Sequence, residues 1–595
     1  MPTRWLRGLP IWKPIWSSAR VAVKRILNLP QSSWNLFRGD DRLLLIILGV
    51  MVGICSGVAA VALNRALVTM LEALHPLRHH VWAIFIPGAG AMLSYLFLEK
   101  VMKEGAGHGV PEVIYSVSRR GGLLRFRSSF TRLVSSCLTI GSGGSAGPEA
   151  PVVMSGAAIG SNIARLFSLN ERQRITLLAG GAAGAISAIF NAPVAGLIFA
   201  MEVILGEWAS IHIIPIAIAS VAGCEISRML QGNQTAFSHH HFSIDLPDII
   251  AAIGLAVLCS FSSILLTRMI RNMHDISAKT PLPRWVKPAI GGVAVGGIGI
   301  FFPDVMGEGY HAIRSMIEGS YTQGLMLIAV IGFLKIFATA LTLGWGGSGG
   351  IFAPCLVIGS FMGLTYHRGL VLMFPGVDWV NEGCFALLGM AGLISGILQA
   401  PLTGIFLIIE ITGSYEVILP LIVVSALSTT LSHSVEPASF YLKDLVMRGQ
   451  LLRPGTDGRV LADIGIPELL ETDCIPVSRS LFLRDLLKVI QKSRRNHFPV
   501  EDPETGDYLG MINLDDMRPY FFNPVLYDTV LVEQIMNTDL PCVHPAEDLG
   551  TVLQQMDELG LFSMPVVSNG RFKGMISKAT ILDRYRRELM VQTAH

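Results

Sequence analysis

Residues 141–151 read GSGGSAGPEAP, and residues 344–354 read GWGGSGGIFAP. The two stretches agree at seven of eleven positions when the chain is aligned with itself at an offset of 203. Each stretch leads into an uncharged segment that is long enough for a helix. A glycine-rich turn before a helix points free backbone N–H groups and the positive end of the helix dipole at one place. The repeated stretch therefore predicts two anion-binding turns within apolar sequence.

The composition is typical of a protein with many membrane-spanning helices. Of the 595 residues, 51% are hydrophobic and 15% are charged, whereas about 25% of the residues of ordinary soluble domains are charged. We therefore expect an integral protein of the cell or inner membrane, surrounded by lipid. The net charge of +2 gives no reason to expect a nucleic acid partner. The eight cysteines form no CxxC pair and no nucleophile–base pair stands out, so we predict no metal site, no disulfide framework and no enzyme.

A second pair of motifs indicates an internal duplication. Residues 191–196 read NAPVAG and precede Glu202, while residues 399–404 read QAPLTG and precede Glu410. The offset of this pair is 208, close to the 203 of the first pair. Apolar segments that glycine and proline interrupt in both halves of a chain indicate a transport site near the middle of the membrane. We predict a polytopic all-α membrane domain of two repeats with broken helices, for which inverted topology is the usual form.

The tail after residue 450 has the composition of a soluble domain, and it also repeats. Residues 497–500 (HFPV) and 508–513 (YLGMIN) have later counterparts in residues 563–567 (SMPVV) and 572–577 (FKGMIS). An amphipathic helix precedes each pair of predicted strands. The tail is therefore predicted to be an α/β domain in which a helix–strand–strand–helix unit occurs twice.

Basic residues dominate the N-terminal segment, and the positive-inside tendency places such a segment in the cytoplasm. With the membrane domain between them, both termini are predicted to be cytoplasmic. The predicted boundaries are 1–41 for the N-terminal segment, 42–450 for the membrane domain with repeats at about 42–230 and 245–435, and 451–595 for the soluble tail with units at about 459–522 and 530–590.

Four short motifs make the chain resemble the ClC family of chloride channels and transporters. Residues 107–111 (GHGVP) are similar to the family's GSGIP, and residues 144–148 (GSAGP) to GxEGP. Residues 350–354 (GIFAP) match GxFxP, and residues 439–441 (SFY) resemble the segment of the pore tyrosine. The resemblance covers residues 42–450, and the tail resembles a tandem CBS (Bateman) pair. It implies a homodimer with one path per subunit for an inorganic anion, with chloride, nitrate and bicarbonate as candidates.

The resemblance and the physics of helix N-termini together give a set of predicted anion-binding residues. A bare charge at the centre of a bilayer costs from about three to more than ten kcal/mol. Backbone N–H groups and a hydroxyl can offset this cost and still release the ion, whereas an arginine in contact would risk holding it too tightly. The predicted anion-binding residues are His108, Gly109, Ser145, Ala146, Gly147, Gly350, Ile351, Phe352, Ala353 and Tyr441.

Two departures from the family pattern determine the predicted mechanism. With residues 144–148 aligned to GxEGP, Ala146 occupies the position of the gating glutamate, and Val203 aligns with the inner proton glutamate of exchangers. In exchangers the gating carboxylate is both gate and proton carrier. Because alanine and valine carry no proton, we predict a passive anion channel without proton coupling. The alternatives are a proton/anion exchanger that uses Glu149 and a non-conducting membrane protein that senses a nucleotide.

Three further residues are candidates for gating, pH sensitivity or regulation. Glu149 lies within about 60° of Ala146 on the same helix, so it acts either as a displaced gate or as an acid that complements the helix dipole. His108 either adds a charge to the pore when it is protonated or packs aside. Asp516 stands where CBS pairs place an aspartate on a nucleotide ribose. An adenine nucleotide is thus an optional ligand, and no cofactor is required.

Overall fold

The structure, a computed structural model, describes residues 41–104, 109–232, 237, 242–448, 461 and 464–593. The chain divides into two compact units between Leu451 and Leu452. His108 and most of the predicted N-terminal segment lie outside the described residues. Within the described ranges, eight helices are long and apolar enough to cross a membrane, and all of them belong to the first unit.

The described part of the first unit is built from seventeen α-helices. They are α1 Asp41–Leu74, α2 Phe85–Leu96, α3 Val110–Arg119, α4 Ser128–Gly141, α5 Glu149–Leu166, α6 Glu171–Phe190, α7 Pro193–Phe199, α8 Ser210–Gln231, α9 Leu246–Lys279, α10 Val286–Phe301, α11 Tyr310–Ile317, α12 Leu325–Gly344, α13 Phe352–Met373, α14 Glu382–Leu398, α15 Pro401–Thr412, α16 Ile418–Val435 and α17 Lys443–Met447. Helices α2 and α7 continue directly into π-helical turns, Phe97–Met102 and Ala200–Leu205.

Helices α1 to α8 correspond in order to helices α9 to α16, which confirms the predicted two-repeat membrane domain. Helices α1 and α9 each have 34 residues. Helices α5 and α13 begin at Glu149 and Phe352, at the offset of 203 that the repeated glycine stretch has. Helices α7 and α15 begin at Pro193 and Pro401, at the offset of 208 of the second motif pair. Proline favours this first helical position because its missing N–H is not needed there.

The two glycine-rich turns meet and bond to each other. The N–H of Gly147 donates to the carbonyl oxygen of Gly350 at 2.8 Å, and the N–H of Gly350 donates to that of Gly147 at 2.7 Å. The bridge between the two residues is antiparallel. The two glycine-rich turns thus run in opposite directions where they meet, as expected of inverted repeats.

A second reciprocal contact joins the repeats through two partly buried carboxylates. Glu202 accepts the N–H groups of Leu402 at 3.2 Å and Thr403 at 2.7 Å. Glu410 accepts those of Val194 at 3.0 Å and Ala195 at 2.7 Å. Each carboxylate therefore satisfies N–H groups in the first turn of the corresponding helix of the other repeat, where no intrahelical partner exists.

Glycines bring two pairs of helices into backbone contact. A Cβ atom on Gly156 of α5 would overlap the carbonyl oxygen of Gly181 in α6, and one on Gly359 of α13 would overlap that of Gly389 in α14. Small residues allow this close approach, which is common between helices in membranes. The packing fixes α5 and α13, whose N-termini face each other.

The second unit contains two small sheets, each packed against a helix. Its elements are β1 Val477–Ser478, α18 Leu483–Lys492, β2 His497–Glu501, β3 Tyr508–Asn513, α19 Leu549–Glu558, β4 Ser563–Ser568, β5 Arg571–Ser577 and α20 Lys578–Thr593. Strand β2 pairs in parallel with β1 and antiparallel with β3, while β4 and β5 form an antiparallel pair. Leu486 of α18 packs with the first sheet, and Met556 of α19 with the second.

The first helix–strand–strand–helix repeat of the tail lacks the closing helix that we predicted for it. After β3 the chain forms short 3-10 turns at Arg518–Tyr520 and Pro524–Leu526. Pro519 and Pro524 explain the difference, because proline has no N–H to donate and disfavours helical backbone in the residue before it. The second repeat of the tail closes with α20, as predicted.

Glu471, near the start of the second compact unit, bonds to residues of β5 and α20. Its backbone pairs with that of Met575, at 2.9 and 3.0 Å, and its carboxylate accepts hydrogen bonds from the hydroxyls of Ser577 (2.7 Å) and Thr580 and from Arg495. Partial burial acts to raise the pKa of Glu471, but the two hydroxyls and the guanidinium outweigh it, so the pKa is lowered.

Glu471→Gln is expected to weaken this unit at neutral pH. A carboxyl group whose pKa is lowered by folding stabilises the fold above its unfolded pKa, about 4.3 for glutamate, and this contribution is lost as the pH falls through the folded pKa. Amide exchange of β5 in the full-length protein should be severalfold faster in the variant at pH 7. The difference from the wild type should shrink below pH 4, and the exposed Glu504→Gln should leave β5 unchanged.

Candidate functional site

The candidate site lies where the N-termini of α5 and α13 meet. The mutual hydrogen bonds of Gly147 and Gly350 place Glu149 and Phe352 two residues further along, each as the first residue of its helix. The side chain of Glu149 is almost fully buried, with 1% of the residue exposed. Burial of a carboxyl group is costly unless hydrogen bonds compensate, so its partners define the site.

Glu149 has partners from two elements of the second repeat. Its Oε1 accepts the hydroxyl of Tyr310 at 2.6 Å, and its Oε2 accepts the N–H of Ala353 at 3.4 Å. The carboxyl group also covers Gly147, because a Cβ atom there would overlap Oε2. The carboxylate of Glu149 therefore reaches a free donor at the start of α13, where the helix dipole favours negative charge.

The structure places the two candidate gate residues, Ala146 and Glu149, in different surroundings. Two overlapping stretches, 144–148 (GSAGP) and 147–151 (GPEAP), each match three of the four specified positions of GxEGP. In the structure Glu149 stands opposite Phe352 at the helix start, and the assignment of the gate stays a prediction. Ala146 is fully buried and packs against the other turn, where a Cβ atom on Gly349 would lie 2.5 Å from its own Cβ.

The N–H groups of four predicted anion-binding residues are already used within the protein. Those of Gly147 and Gly350 form the mutual bridge. The N–H of Ser145 donates to Oγ1 of Thr342 at 3.0 Å, and that of Ala146 donates to the carbonyl oxygen of Gly144 at 3.0 Å. The bonds of Gly147 and Gly350 connect the two turns, whereas that of Ala146 stays within its own turn. Anion binding by these four residues stays a prediction.

The start of α13 does present free donors. Within the described residues, the N–H groups of Ile351 and Phe352 donate to no acceptor, and that of Ala353 reaches the carboxylate of Glu149. The ring of Phe352 is fixed by Phe190 and Phe199, with ring centres 5.4 and 6.3 Å away. Three consecutive N–H groups at a helix N-terminus can hold an anion.

Tyr441 and Gly109 approach the same place from other parts of the chain. Tyr441 is 2% exposed and lies within electrostatic range of Glu149 and of Cys355 in the first turn of α13. Gly109 precedes α3 with φ of 83°, and a Cβ atom there would lie 3.0 Å from the carbonyl oxygen of Ala150. A glycine suits both the positive φ and the close approach. Anion binding by Tyr441 and Gly109 stays a prediction.

Val203 lies in the π-helical turn after α7 and is partly buried against the core. It offers no titratable group. The neighbouring Glu202 is occupied by the N–H of Leu402 and by both the N–H and the hydroxyl of Thr403. At the position of the inner proton glutamate of exchangers, Val203 therefore provides no carboxylate, and that of the neighbouring Glu202 is already hydrogen-bonded.

The role of Tyr310 was not predicted from the sequence. Residues 307–310 (GEGY) are the counterpart of residues 107–110 (GHGV) at an offset of 200, so the internal repeat carried a signal for this turn. Lys335 is fully buried, and its Nζ donates to the carbonyl oxygens of Val305 at 3.0 Å and Gly307 at 2.9 Å. The lysine thereby fixes the turn that presents Tyr310.

In the second unit, Asp516 is exposed in the turn after β3, where its N–H donates to the carbonyl oxygen of Asn513 at 3.1 Å. The corresponding residue of the second repeat, Thr580, bonds to Glu471 and Ser577. Adenine nucleotide binding at Asp516 stays a prediction. Among the described residues of both units, no group of three or more His, Cys, Asp or Glu side chains could hold a metal ion.

Comparison with known proteins agrees with this architecture. The chain is 30% identical over 370 residues to "Putative chloride channel protein ClcB-like" of Ralstonia nicotianae, which covers 61% of this chain and 86% of that protein. It is 28% identical over 425 residues to "H(+)/Cl(-) exchange transporter ClcA" of Vibrio cholerae, which covers 68% and 90%. It is 25% identical over 617 residues to "Chloride channel protein CLC-f" of Arabidopsis thaliana, which covers 88% and 77%.

The fold matches that of solved transporters. A slow cyanobacterial Cl⁻/H⁺ antiporter superposes with a TM-score of 0.63 at 24% identity and covers 69% of this chain and 98% of its own. A eukaryotic CLC transporter superposes with a TM-score of 0.61 at 16% identity and covers 90% and 98%. The profile of the family described as "Voltage gated chloride channel" matches residues 90–433, and that of the CBS domain matches residues 532–587. The chain therefore belongs to the voltage gated chloride channel family, with a CBS region at its C-terminal end.

Proposed function

We propose that this integral membrane protein exchanges a small inorganic anion, in the first instance chloride, for protons, and that Glu149 is its gate and proton carrier. The observation that carries the proposal is the bond from the N–H of Ala353 to the Glu149 carboxylate. An anion that binds the free N–H groups at the start of α13 has to compete with this negative charge. The carboxylate thus blocks the site that the anion needs.

Such competition links anion entry to protonation. A carboxylate is held at a helix N-terminus by charge–dipole attraction, whereas a neutral carboxyl group is held less strongly. When a proton binds Glu149, the group leaves α13 and an anion takes its place. When the anion departs, the deprotonated carboxylate returns. Glu149 thereby alternates between a deprotonated state that occupies the site and a protonated state that leaves it to the anion. The resemblance to ClcA, named as an H⁺/Cl⁻ exchange transporter, supports this proposal of coupled exchange.

A second candidate, anion conduction without proton coupling, is favoured by Val203. A proton that reaches Glu149 from one side of the membrane needs an acceptor toward the other side, and valine supplies none. In this case Glu149 would still gate the path, but protons would enter and leave on the same side. The two candidates share the anion site and differ only in whether protons cross.

Liposomes that contain the purified protein distinguish the two candidates. A chloride gradient is imposed, and anion and proton movements are recorded at the same time. Coupled exchange predicts that protons move against their own gradient, in a fixed ratio to chloride. Rapid chloride flux with no proton movement beyond that of empty liposomes would favour uncoupled conduction. Repeating the measurement with nitrate and bicarbonate ranks the candidate anions.

For the assembly we propose a homodimer with one anion path in each subunit and with both termini in the cytoplasm. The support is the family membership together with the basic N-terminal segment. Cross-linking in native membranes tests the dimer, and labelling of single cysteines introduced near each terminus tests the orientation.

A further inference from the structure

Tyr310 contacts the gate residue more closely than any other group in the described chain. The distance from its hydroxyl to Oε1 of Glu149 is 2.6 Å, whereas Oε2 lies 3.4 Å from the N–H of Ala353. A bond from a hydroxyl to a carboxylate is typically 2.5–2.7 Å long and about twice as strong as a neutral one. The phenol of Tyr310, rather than the start of α13, makes the shorter bond to Glu149.

The position of Tyr310 is fixed by contacts that do not involve Glu149. It is the first residue of α11 and follows Gly309, whose φ of 84° sets the turn. Lys335 holds the preceding loop through the carbonyl oxygens of Val305 and Gly307. The ring of Phe237 meets that of Tyr310 edge-on at 6.4 Å. The hydroxyl is thus held in place before Glu149 arrives.

We propose that Tyr310 is a positioning residue that latches deprotonated Glu149 over the anion site and so sets the proton concentration at which the gate opens. This inference rests on the proposed function. Tyr310 keeps its own proton throughout, and the proton that opens the gate binds the Glu149 carboxylate. Because a phenol bonds more strongly to a carboxylate than to a neutral carboxyl group, protonation releases the latch.

The charged and titratable groups near Glu149 come from four elements. Glu308, in the turn before α11, lies within electrostatic range of Glu149 and of Lys335 in α12, and Lys335 is also within range of Asp304. Cys355 of α13 and Tyr441 also lie within electrostatic range of Glu149. Glu308 acts on Glu149 through space, whereas the hydroxyl of Tyr310 bonds directly to its carboxylate.

Tyr310→Phe removes the hydroxyl and keeps the ring. Loss of one hydrogen bond to a charged group is expected to raise chloride flux at pH 7.5 about tenfold. A tenfold change in the protonation equilibrium corresponds to about one pH unit, so the midpoint of acid activation should move by about that amount to higher pH. The readout is chloride flux from liposomes between pH 4.5 and 8.

Tyr321→Phe is the matched control. Its hydroxyl bonds to a different acid, Asp304, at 2.8 Å, so loss of a tyrosine hydroxyl in the same unit should leave the pH profile unchanged. In a Glu149→Ala background, Tyr310→Phe should change nothing further, because the latch no longer has anything to hold.

The outcomes separate the latch from the gate. If chloride flux no longer depends on pH in Glu149→Ala, but Tyr310→Phe behaves like Tyr321→Phe, the proposed role of Tyr310 is wrong and Glu149 remains the proposed gate. If Glu149→Ala leaves the pH profile of the wild type, the gate itself is wrong. Should Tyr310→Phe not yield folded protein, Tyr310→Leu, which also loses the contact with Phe237, serves as the second variant with the same expected shift.

Discussion

Replacing Glu149 with alanine is expected to abolish proton transport and leave a chloride flux that no longer varies with pH. The variant keeps the N–H groups at the start of α13 and loses the carboxylate that competes for them. Ala353 then donates to the anion instead of to Glu149. In liposomes, proton movement driven by a chloride gradient should fall to the level of empty vesicles, while chloride flux at neutral pH should rise severalfold because the site is always open.

The appropriate control is Glu171→Ala. Glu171 is also the first residue of a membrane-unit helix, but it is exposed at the start of α6, where its charge complements the dipole of that helix. Its replacement should leave coupling and pH dependence unchanged. Persistent proton transport in Glu149→Ala would show that another group carries the proton. Loss of chloride flux would show that the carboxylate helps to build the path rather than to block it.

Gly363→Ala is expected to prevent the membrane unit from folding stably. A Cβ atom on Gly363 of α13 would overlap the carbonyl oxygen of Phe385 in α14. The overlap is with backbone, which cannot move aside as a flexible side chain can, so the two helices have to separate. Overpacking of this kind costs about 3 kcal/mol or more. Because α13 carries the free N–H groups, transport should be lost together with stability.

Size-exclusion chromatography and thermal unfolding in detergent measure this effect. Gly369→Ala is the control within α13, because a Cβ atom there meets nothing within 4 Å, and alanine is the better helix former. The corresponding glycine of the first repeat, Gly160 of α5, would overlap the carbonyl oxygen of Leu177, so Gly160→Ala should be as harmful as Gly363→Ala. A stable, active Gly363→Ala protein would contradict backbone contact between the helices.

The sequence predicted the duplicated architecture because two motif pairs mark the helix starts at Glu149, Phe352, Pro193 and Pro401. It left two candidates for the gate residue, since Ala146 and Glu149 belong to overlapping stretches that fit the family motif equally well. Nor could it show which backbone donors are free. The glycines at 147 and 350 look like anion donors in sequence, but they bond to each other, a long-range contact that no local pattern reveals.

The contact of Tyr310 with Glu149 could not be predicted from the sequence for a different reason. Its turn corresponds to residues 107–110 in the first repeat, but nothing in either stretch indicates that a phenol would reach Glu149, 161 residues away. The fully buried Lys335 that supports the turn belongs to yet another helix. Contacts of this kind depend on how α5, α11 and α12 pack, and packing partners distant in sequence are not encoded in the spacing of apolar residues.

The reciprocal bonds of Glu202 and Glu410 bear on how the chain folds during synthesis. Glu202 finds its donors in Leu402 and Thr403, which follow it by 200 and 201 residues. At a synthesis rate of about 5–20 residues per second, Glu202 leaves the ribosome roughly 10 to 40 s before its partners exist. The first repeat therefore cannot complete its core alone, and the membrane unit closes only once α15 has been made.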